Sequence, residues 1–531
     1  MSTAAPAWVD GLARALVEAV PRLYGCQASS AVAESIGALA AALAEGRVET
    51  RLRPEQVAPL ADSPLTQGER SPLVLEGDRL LWRRWHSQRQ SVLQQLGQRA
   101  RASGGQEPAG LASLVERHGQ GLDGEQRRAV AAVLLHQLVL LEGGPGTGKT
   151  STVGRMLAAV REQQPDCRIQ LAAPTGKAAA RLRAAIAARH PDLSCSTLHR
   201  LLESQGERFR RNRQHPLDLD LLVVDECSMV DLGLMEALLE ALPENARLVL
   251  VGDAAQLPPI APGAVLLELQ QPQHRQALGE AAVRLHTTYR NQGAIAAVSG
   301  WLRGRLDAGA TAPDDALLRE ELDQRLGALD AGANLRWHRN SSRHLPQVLL
   351  KRLRQHQHQL LEQCQADDSD SVDGARQLLA LLDQCLVLSP VRQGAWGVEA
   401  IHRALLGEAA ARGARHWPLG TPVLCGTNQD DLGLANGDVG IVVERHGERR
   451  LLFAPAGAAE PLWVHPAQLP GAQPALALTV HKAQGSEAED VWVLLPEHDR
   501  AQDRLLYTAL TRARQRAHLI TPTLPKRRTD G

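Results

Sequence analysis

The chain has 531 residues, of which 44% are hydrophobic and 22% charged. One hydrophobic core rarely grows past ~250–300 residues, so the length predicts several domains. The 59 Lys+Arg are matched by 59 Asp+Glu, which excludes a histone-like positive coat yet leaves room for a local basic channel.

The N-terminal stretch MSTAAPAWVDGLARALVEAV lacks the basic start and unbroken apolar core of a signal peptide. No apolar run approaches the ~18–20 residues of a membrane span. The seven cysteines are scattered without a C-x-x-C pair, the pattern of reduced thiols in a cytoplasmic protein. Residues 1–115 read as a separate, mostly helical module that ends in the linker-like RASGGQEPAG. Within it, Pro72 to Leu96 reads as a hairpin around Glu76-Gly77-Asp78 running into a helix. Trp82 and Trp85 suit either base stacking or apolar anchoring, and the anchoring reading is the simpler.

Leu138 to Thr152, LVLLEGGPGTGKTST, passes from an apolar strand through glycines into a helix. This is the spacing of a P-loop, with Gly143, Gly144, Pro145, Gly146, Thr147 and Gly148 turning the backbone so that N–H groups converge on phosphate oxygens. Lys149 is placed for the β- and γ-phosphates, Thr150 offers a hard ligand for Mg²⁺, and Ser151 completes the nucleotide-binding set. Just upstream, Gln126 is a candidate for the base edge of the nucleotide, or else a solvated helix-face glutamine.

Strand ends then carry further polar clusters. Pro174 and Thr175 follow the strand Arg168–Ala172, and Thr197 with His199 follows later. They suit phosphate-backbone contacts of a nucleic acid, or plain caps and turn bonds. Residues near 203–217 form a basic segment, predicted as a hairpin with Asn212 at its tip. The buried run Leu221–Val224 ends in Asp225 and Glu226, an acid pair suited to holding Mg²⁺ and to accepting a proton from a lytic water. The run Leu248–Val251 leads to Gln256, placed as a sensor of the γ-phosphate. Arg290, in Thr288-Tyr289-Arg290, is a candidate for transition-state charge.

Residues from about 305 to 385 read as helical and polar, with an acidic loop from Asp367 to Asp373. A second sheet begins at Cys385–Leu388. Between 418 and 470, short β patterns predict a small barrel. The sheet resumes at Ala475–Val480, which includes Thr479 and is followed by His481 and Lys482, and closes with a strand at Asp490–Leu494. A helix over Asp503–Arg514 is predicted to bring Arg512 to a cleft between two domains as an arginine finger.

The ordered set GGPGTGKT, APTGKAA, STLHRLL, LVVDECSM, LVGDAAQLPP, TYR, LTVHKAQGSE and LYTALTRAR resembles the motifs of superfamily-one helicases over roughly residues 122–515. Three narrower stretches, PLVLEGDRLLWRRW, HPLDLDLLVVDE and TNQDDLGLANGDVGIVV, resemble the RecD family, alpha subunits of exodeoxyribonuclease V (the RecBCD complex). The resemblance implies an α/β fold with two RecA-like P-loop NTPase domains, at 116–275 and 276–531. The latter carries the small barrel, SH3-like, and the chain starts with a helical partner-binding domain at 1–115. It implies ATP and Mg²⁺ as cofactors and 5′-to-3′ movement on single-stranded DNA. It also implies unwinding of duplex DNA ends for recombinational repair, with RecB-like and RecC-like subunits in a heterotrimer and no membrane. Pro174, Thr175, Thr197, His199, Thr479, His481 and Lys482 are the candidates for DNA contact. Cys227 and His402 depart from the family's usual alanine and asparagine. A stand-alone RecD-like helicase and an RNA helicase remain alternatives. A scaffold that has lost catalysis is disfavoured, because Lys149, Asp225, Glu226 and Arg512 are all present.

Overall fold

The computed structural model describes residues 7–44, 46–102, 110–206, 208–289, 293–308, 315–330, 332–366, 368, 370–455, 460–496 and 503–523. The chain opens with helices Ala7–Leu23 and Ser30–Ala44, followed by β1 (Glu49–Arg51), β2 (Leu73–Glu76) and β3 (Arg79–Trp82), an antiparallel sheet ordered β1-β3-β2. The hairpin turn falls at Gly77, whose φ of 63° lies in the left-handed region. Trp82 is 9% exposed in the core of this module, and Trp85 packs where that core meets the next one, so both serve as apolar anchors.

Helix Arg83–Arg101 leaves the module and lies on the first large sheet. Val92, Leu96 and Ala100, spaced four apart on one helix face, are buried with Leu138, Leu140, Leu222 and Leu248 of that sheet. One turn is held by Arg99, whose guanidinium donates to the carbonyls of Leu242 (3.2 Å), Pro243 (3.0 Å), Glu244 (3.3 Å) and Ala246 (2.9 Å) just past helix Leu232–Ala241. A fork of fixed donors suits the orphan carbonyls of a helix end.

The first large sheet is built from β4 (Leu138–Gly143), β5 (Ile169–Ala173), β6 (Cys195–Thr197), β9 (Leu221–Val224), β10 (Arg247–Gly252) and β11 (Ala282–Leu285). All are parallel, in the order β11-β4-β10-β9-β5-β6. Its central strands are apolar runs because both faces are covered. Leu138 and Leu140 of β4 and Leu248 and Leu250 of β10 point to the face under helix Arg83–Arg101, while Val139, Leu141, Val249 and Val251 point to the other. Each fully buried aliphatic side chain contributes roughly 1.5–3 kcal/mol. Between β6 and β9 a small hairpin pairs β7 (Ser204–Gln205) with β8 (Arg208–Phe209). Asn212 heads a second turn rather than forming the tip, its Oδ1 accepting from the amides of Gln214 and His215.

The second large sheet holds β12 (Leu335–Asn340), β13 (Cys385–Ser389), β19 (Leu478–Thr479), β20 (Ala488–Leu494) and β21 (Ala513–Pro522). It too is parallel, in the order β12-β21-β20-β13-β19. Two expectations change here. Residues 305–385 are not wholly helical, because β12 forms an edge of this sheet. The helix beginning at Asp503 ends at Leu510, and Ala513–Pro522 is a strand whose buried half, Ala517–Ile520, follows three exposed residues, Arg514, Gln515 and Arg516. Part of the acidic loop, residues 367 and 369, lies outside the described residues.

Between β13 and β19 the chain forms an antiparallel five-stranded sheet from β14 (Pro422–Leu424), β15 (Val439–Arg445), β16 (Glu448–Phe453), β17 (Leu462–Val464) and β18 (Gln473–Pro474), ordered β17-β16-β15-β14-β18. It has its own core around Trp417, Val423, Val442, Leu451 and Phe453.

Candidate active site

Three strand ends of the first sheet converge on one cleft. After β4, Gly146 and Gly148 have φ of 78° and 82°, a left-handed backbone that glycine adopts without penalty, and Gly148 caps helix Lys149–Gln163. Thr147 Oγ1 donates to Gly144 O at 2.8 Å, and Lys149 Nζ donates to Gly143 O (2.6 Å) and Gly144 O (3.0 Å). After β9, Glu226 has a φ of 52°, an uncommon conformation for a side-chain-bearing residue, and its amide donates to Asp225 Oδ1 at 2.9 Å. After β10, the loop Asp253–Leu257 carries Gln256.

The cleft, about 610 Å³, is lined by Pro145, Gly146, Gly148, Lys149, Thr150, Ser151, Asp225, Glu226 and Gln256 from the first lobe, and by Glu487, Arg512 and Arg514 from the second. Gly143, Gly144 and Thr147 of the same glycine loop are not among the residues that line the cleft. Arg512 is 2% exposed, with Nε donating to Thr508 O at 3.1 Å. The loop before Gln256's far neighbour is clasped by the second lobe: Leu257 N donates to Thr508 Oγ1 (2.9 Å), Gln484 Nε2 to Leu257 O (2.8 Å) and Arg504 to Ala254 O.

Burial and the adjacent Glu226 charge raise the Asp225 carboxyl above its ordinary range, with Lys149 and Arg181 opposing. The Asp225 and Glu226 carboxyls and the Thr150 hydroxyl, all lining the cleft, form a donor set that fits a hard divalent cation. Among the described residues no group of three or more His, Cys, Asp or Glu is placed to cage a metal. A P-loop magnesium needs no such cage, since water and phosphate oxygens complete its octahedron.

Several candidates sit differently from the expectation. Gln126 is 4% exposed and its amide is engaged within the protein. Its Oε1 accepts from Asp123 N (3.2 Å) in a capping box, and Nε2 donates to Thr147 O (3.3 Å), bracing the P-loop rather than facing outward. Arg290 lies outside the described residues, although the preceding Tyr289 ties its amide to Gly146 O at 2.8 Å.

The seven DNA-contact candidates are not gathered in one cavity. Thr175 Oγ1 accepts from Ala178 N (3.3 Å) and Thr197 Oγ1 from Arg200 N (3.2 Å), each capping the helix it precedes, with Pro174 just before the first. Thr197 and His199 line a groove of about 480 Å³ that is closed by Asn428 and Gly433–Ala435 beside the small sheet. His199 lies 5.9 Å from the Phe209 ring. Thr479 and Lys482 line another groove, about 760 Å³, with Arg392 and Arg403. Burial, followed by Arg392, lowers the Lys482 ammonium pKa, and burial lowers that of His481.

His402 borders this second groove, its Nε2 within 3.1 Å of Ala477 O and 3.3 Å of Ala477 N, and burial pushes it down to about 4. Cys227 is a buried packing residue against Gly252. Sequence reasoning missed Arg181, which crosses the seam to Glu487 and donates to Gly485 O at 3.1 Å while lining the cleft. Its only signal was its place just beyond APTGKAA.

An AAA domain model matches residues 126–262, and a UvrD-like helicase C-terminal domain model matches residues 474–520. The chain is 36% identical over 496 residues to the RecBCD enzyme subunit RecD of Mycolicibacterium smegmatis, covering 87% of this chain and 82% of that one. It is 34% identical to the ATP-dependent RecD2 DNA helicase of Deinococcus radiodurans, covering 75% of this chain and 48% of that one. A Pif1 helicase structure, from work on unwinding at forked double-stranded DNA, aligns with a TM-score of 0.42 at 16% identity, covering 75% of this chain and 91% of that one. Among the described residues no helix is long and apolar enough to cross a membrane. On the strength of identity that runs nearly end to end, the chain belongs to the RecD family of ATP-dependent DNA helicases.

Proposed function

We propose that this chain is the motor subunit of a RecBCD-type complex, moving 5′-to-3′ along single-stranded DNA and opening duplex ends for recombinational repair with RecB-like and RecC-like partners. The observation that carries the reading is the shared cleft, in which P-loop, acid pair and Gln256 from one lobe face Arg512 of the other. In domain terms, the helical N-terminal module binds partners, and the two parallel sheets are RecA-like halves. The inserted antiparallel sheet is an SH3-like barrel beside the DNA path.

Lys149 leaves its loop carbonyls for the β- and γ-phosphates of ATP, and backbone N–H groups from Gly146 to Ser151 hold the phosphate oxygens. Thr150 and Asp225 would hold Mg²⁺, which when bound would neutralise charge on the phosphates. Glu226 accepts the proton of the attacking water as its oxygen bonds to the γ-phosphorus and the bond to the bridging oxygen breaks. Gln256 orients that water. Arg512 and Arg290 meet the charge that develops, so closing of the lobes and hydrolysis are linked. Thr175, Thr197 and His199 on one lobe and Thr479, His481 and Lys482 on the other grip the strand backbone alternately. The movement is therefore indifferent to base sequence and sensitive to salt.

Lys149→Gln is expected to abolish DNA-stimulated ATP hydrolysis while leaving the fold intact, because Lys149 bonds only loop carbonyls. Full turnover in that variant refutes the site. Tailed duplexes test polarity: unwinding only from a 3′ tail overturns the direction.

A further inference from the structure

Asp253, the first residue past β10, is 1% exposed and carries a carboxylate shared between the lobes. From its own loop it accepts Ala255 N at Oδ1 (3.1 Å) and faces Gln256 Nε2 at Oδ2 (3.5 Å). From the opposite lobe, Tyr507 Oη donates to Oδ2 at 2.7 Å, and Arg303 Nη1 lies 3.7 Å from Oδ1. Arg303 belongs to helix Ala294–Asp307, and Tyr507 to helix Asp503–Leu510. Both also press on the P-loop. A Cβ at Gly144 would stand 2.7 Å from Arg303 Nη1 and 3.1 Å from Tyr507 Oη, so the loop needs glycine there for the two side chains to pass.

The consequence falls on Gln256. Its Nε2, a donor, must face the carboxylate, which fixes the amide's two ends. The Oε1 end is buried and, among the described residues, has no hydrogen-bond partner, an acceptor left over on a side chain that lines the cleft. Weakening the hold on Asp253 from across the seam frees this carboxylate to turn, and the Gln256 amide, tied to it by the 3.5 Å contact, loses its fixed direction.

We infer that Arg303 and Tyr507 are positioning residues for hydrolysis: gripping Asp253 from the opposite lobe, they set the direction of the Gln256 amide, so that turnover requires the two lobes in register. This rests on reading the cleft as the ATP site.

The test is steady-state, DNA-stimulated ATP hydrolysis by the full chain. Tyr507→Phe and Arg303→Gln are each expected to lower kcat roughly tenfold or more, with KM for ATP changed by less than about twofold. Combined with Gln256→Ala, either should cost no more than Gln256→Ala alone, because residues that act as one unit are not additive. Arg303→Lys should recover part of the loss. Losses that multiply, or a raised KM with kcat kept, overturn the inference. If Tyr507→Phe fails to fold, Arg303→Gln carries the test, since that side chain is partly exposed. Lys149→Gln separates the two failures. An active Lys149→Gln sinks the site reading, whereas an inactive one with multiplying losses sinks this inference alone.

Discussion

The two parallel sheets are built alike but equipped differently. The first brings acids, hydroxyls and a glycine loop to its strand ends, from Gly143–Ser151, Asp225, Glu226 and Gln256. The second brings cations and a single acid, Arg512, Arg514 and Glu487, on a frame interrupted by the antiparallel insert. Neither set is complete by itself. On the proposed reading, the ligands for a triphosphate stand on one half and the charge for its transition state on the other, which makes apposition a condition of chemistry.

The sharpest way to break this division is Arg512→Ala. Arginine fingers are worth about 10³–10⁵ in kcat, so a loss of at least about 10³-fold is expected with nucleotide binding largely kept. Single-turnover hydrolysis alongside nucleotide titration checks it. A smaller effect is expected from Arg99→Ala, which strips carbonyl partners at the joint between the N-terminal module and the first sheet. Roughly 2–3 kcal/mol should be lost in denaturant unfolding, with ATP turnover per folded molecule unchanged. The smallest effect distinguishes the lobes by pH. His356 and His402 are both in the second lobe, and burial holds each near 4, below the ordinary 6.5. Their folded pKa values are depressed, so the stability they permit is full above pH 6.5 and is lost as pH falls toward 4. That amounts to about 1 kcal/mol per imidazole by pH 6. Hydrogen exchange on mild acidification should show β13 and β19 opening before β4 and β10, and His356→Gln should flatten part of the trend.

The first sheet was the more legible because its strands are buried on both faces and therefore read as apolar runs that end in motifs. Leu138–Leu141, Leu221–Val224 and Leu248–Val251 need no context to be seen. By contrast β12, with sequence LRWHRN, is an edge strand with exposed arginines, and β21 begins with residues that continue a helical pattern. The cleft residues carried by motif spacing were visible for the same reason. Arg181 was not, nor was the bracing of the P-loop by Gln126, because their partners, Glu487 and Thr147, are 306 and 21 residues away and only the folded chain pairs them. Arg303 lies in an ordinary helix with nothing in its neighbours to single it out.

Helix Arg83–Arg101 shares its apolar side with the sheet that holds the P-loop, and Arg99 rivets it there. On the proposed reading, a partner that grips residues 7–82 therefore holds the half that carries Lys149, Asp225 and Glu226 as a mount. A load applied through such a handle reaches the first sheet by way of this helix before it reaches the second.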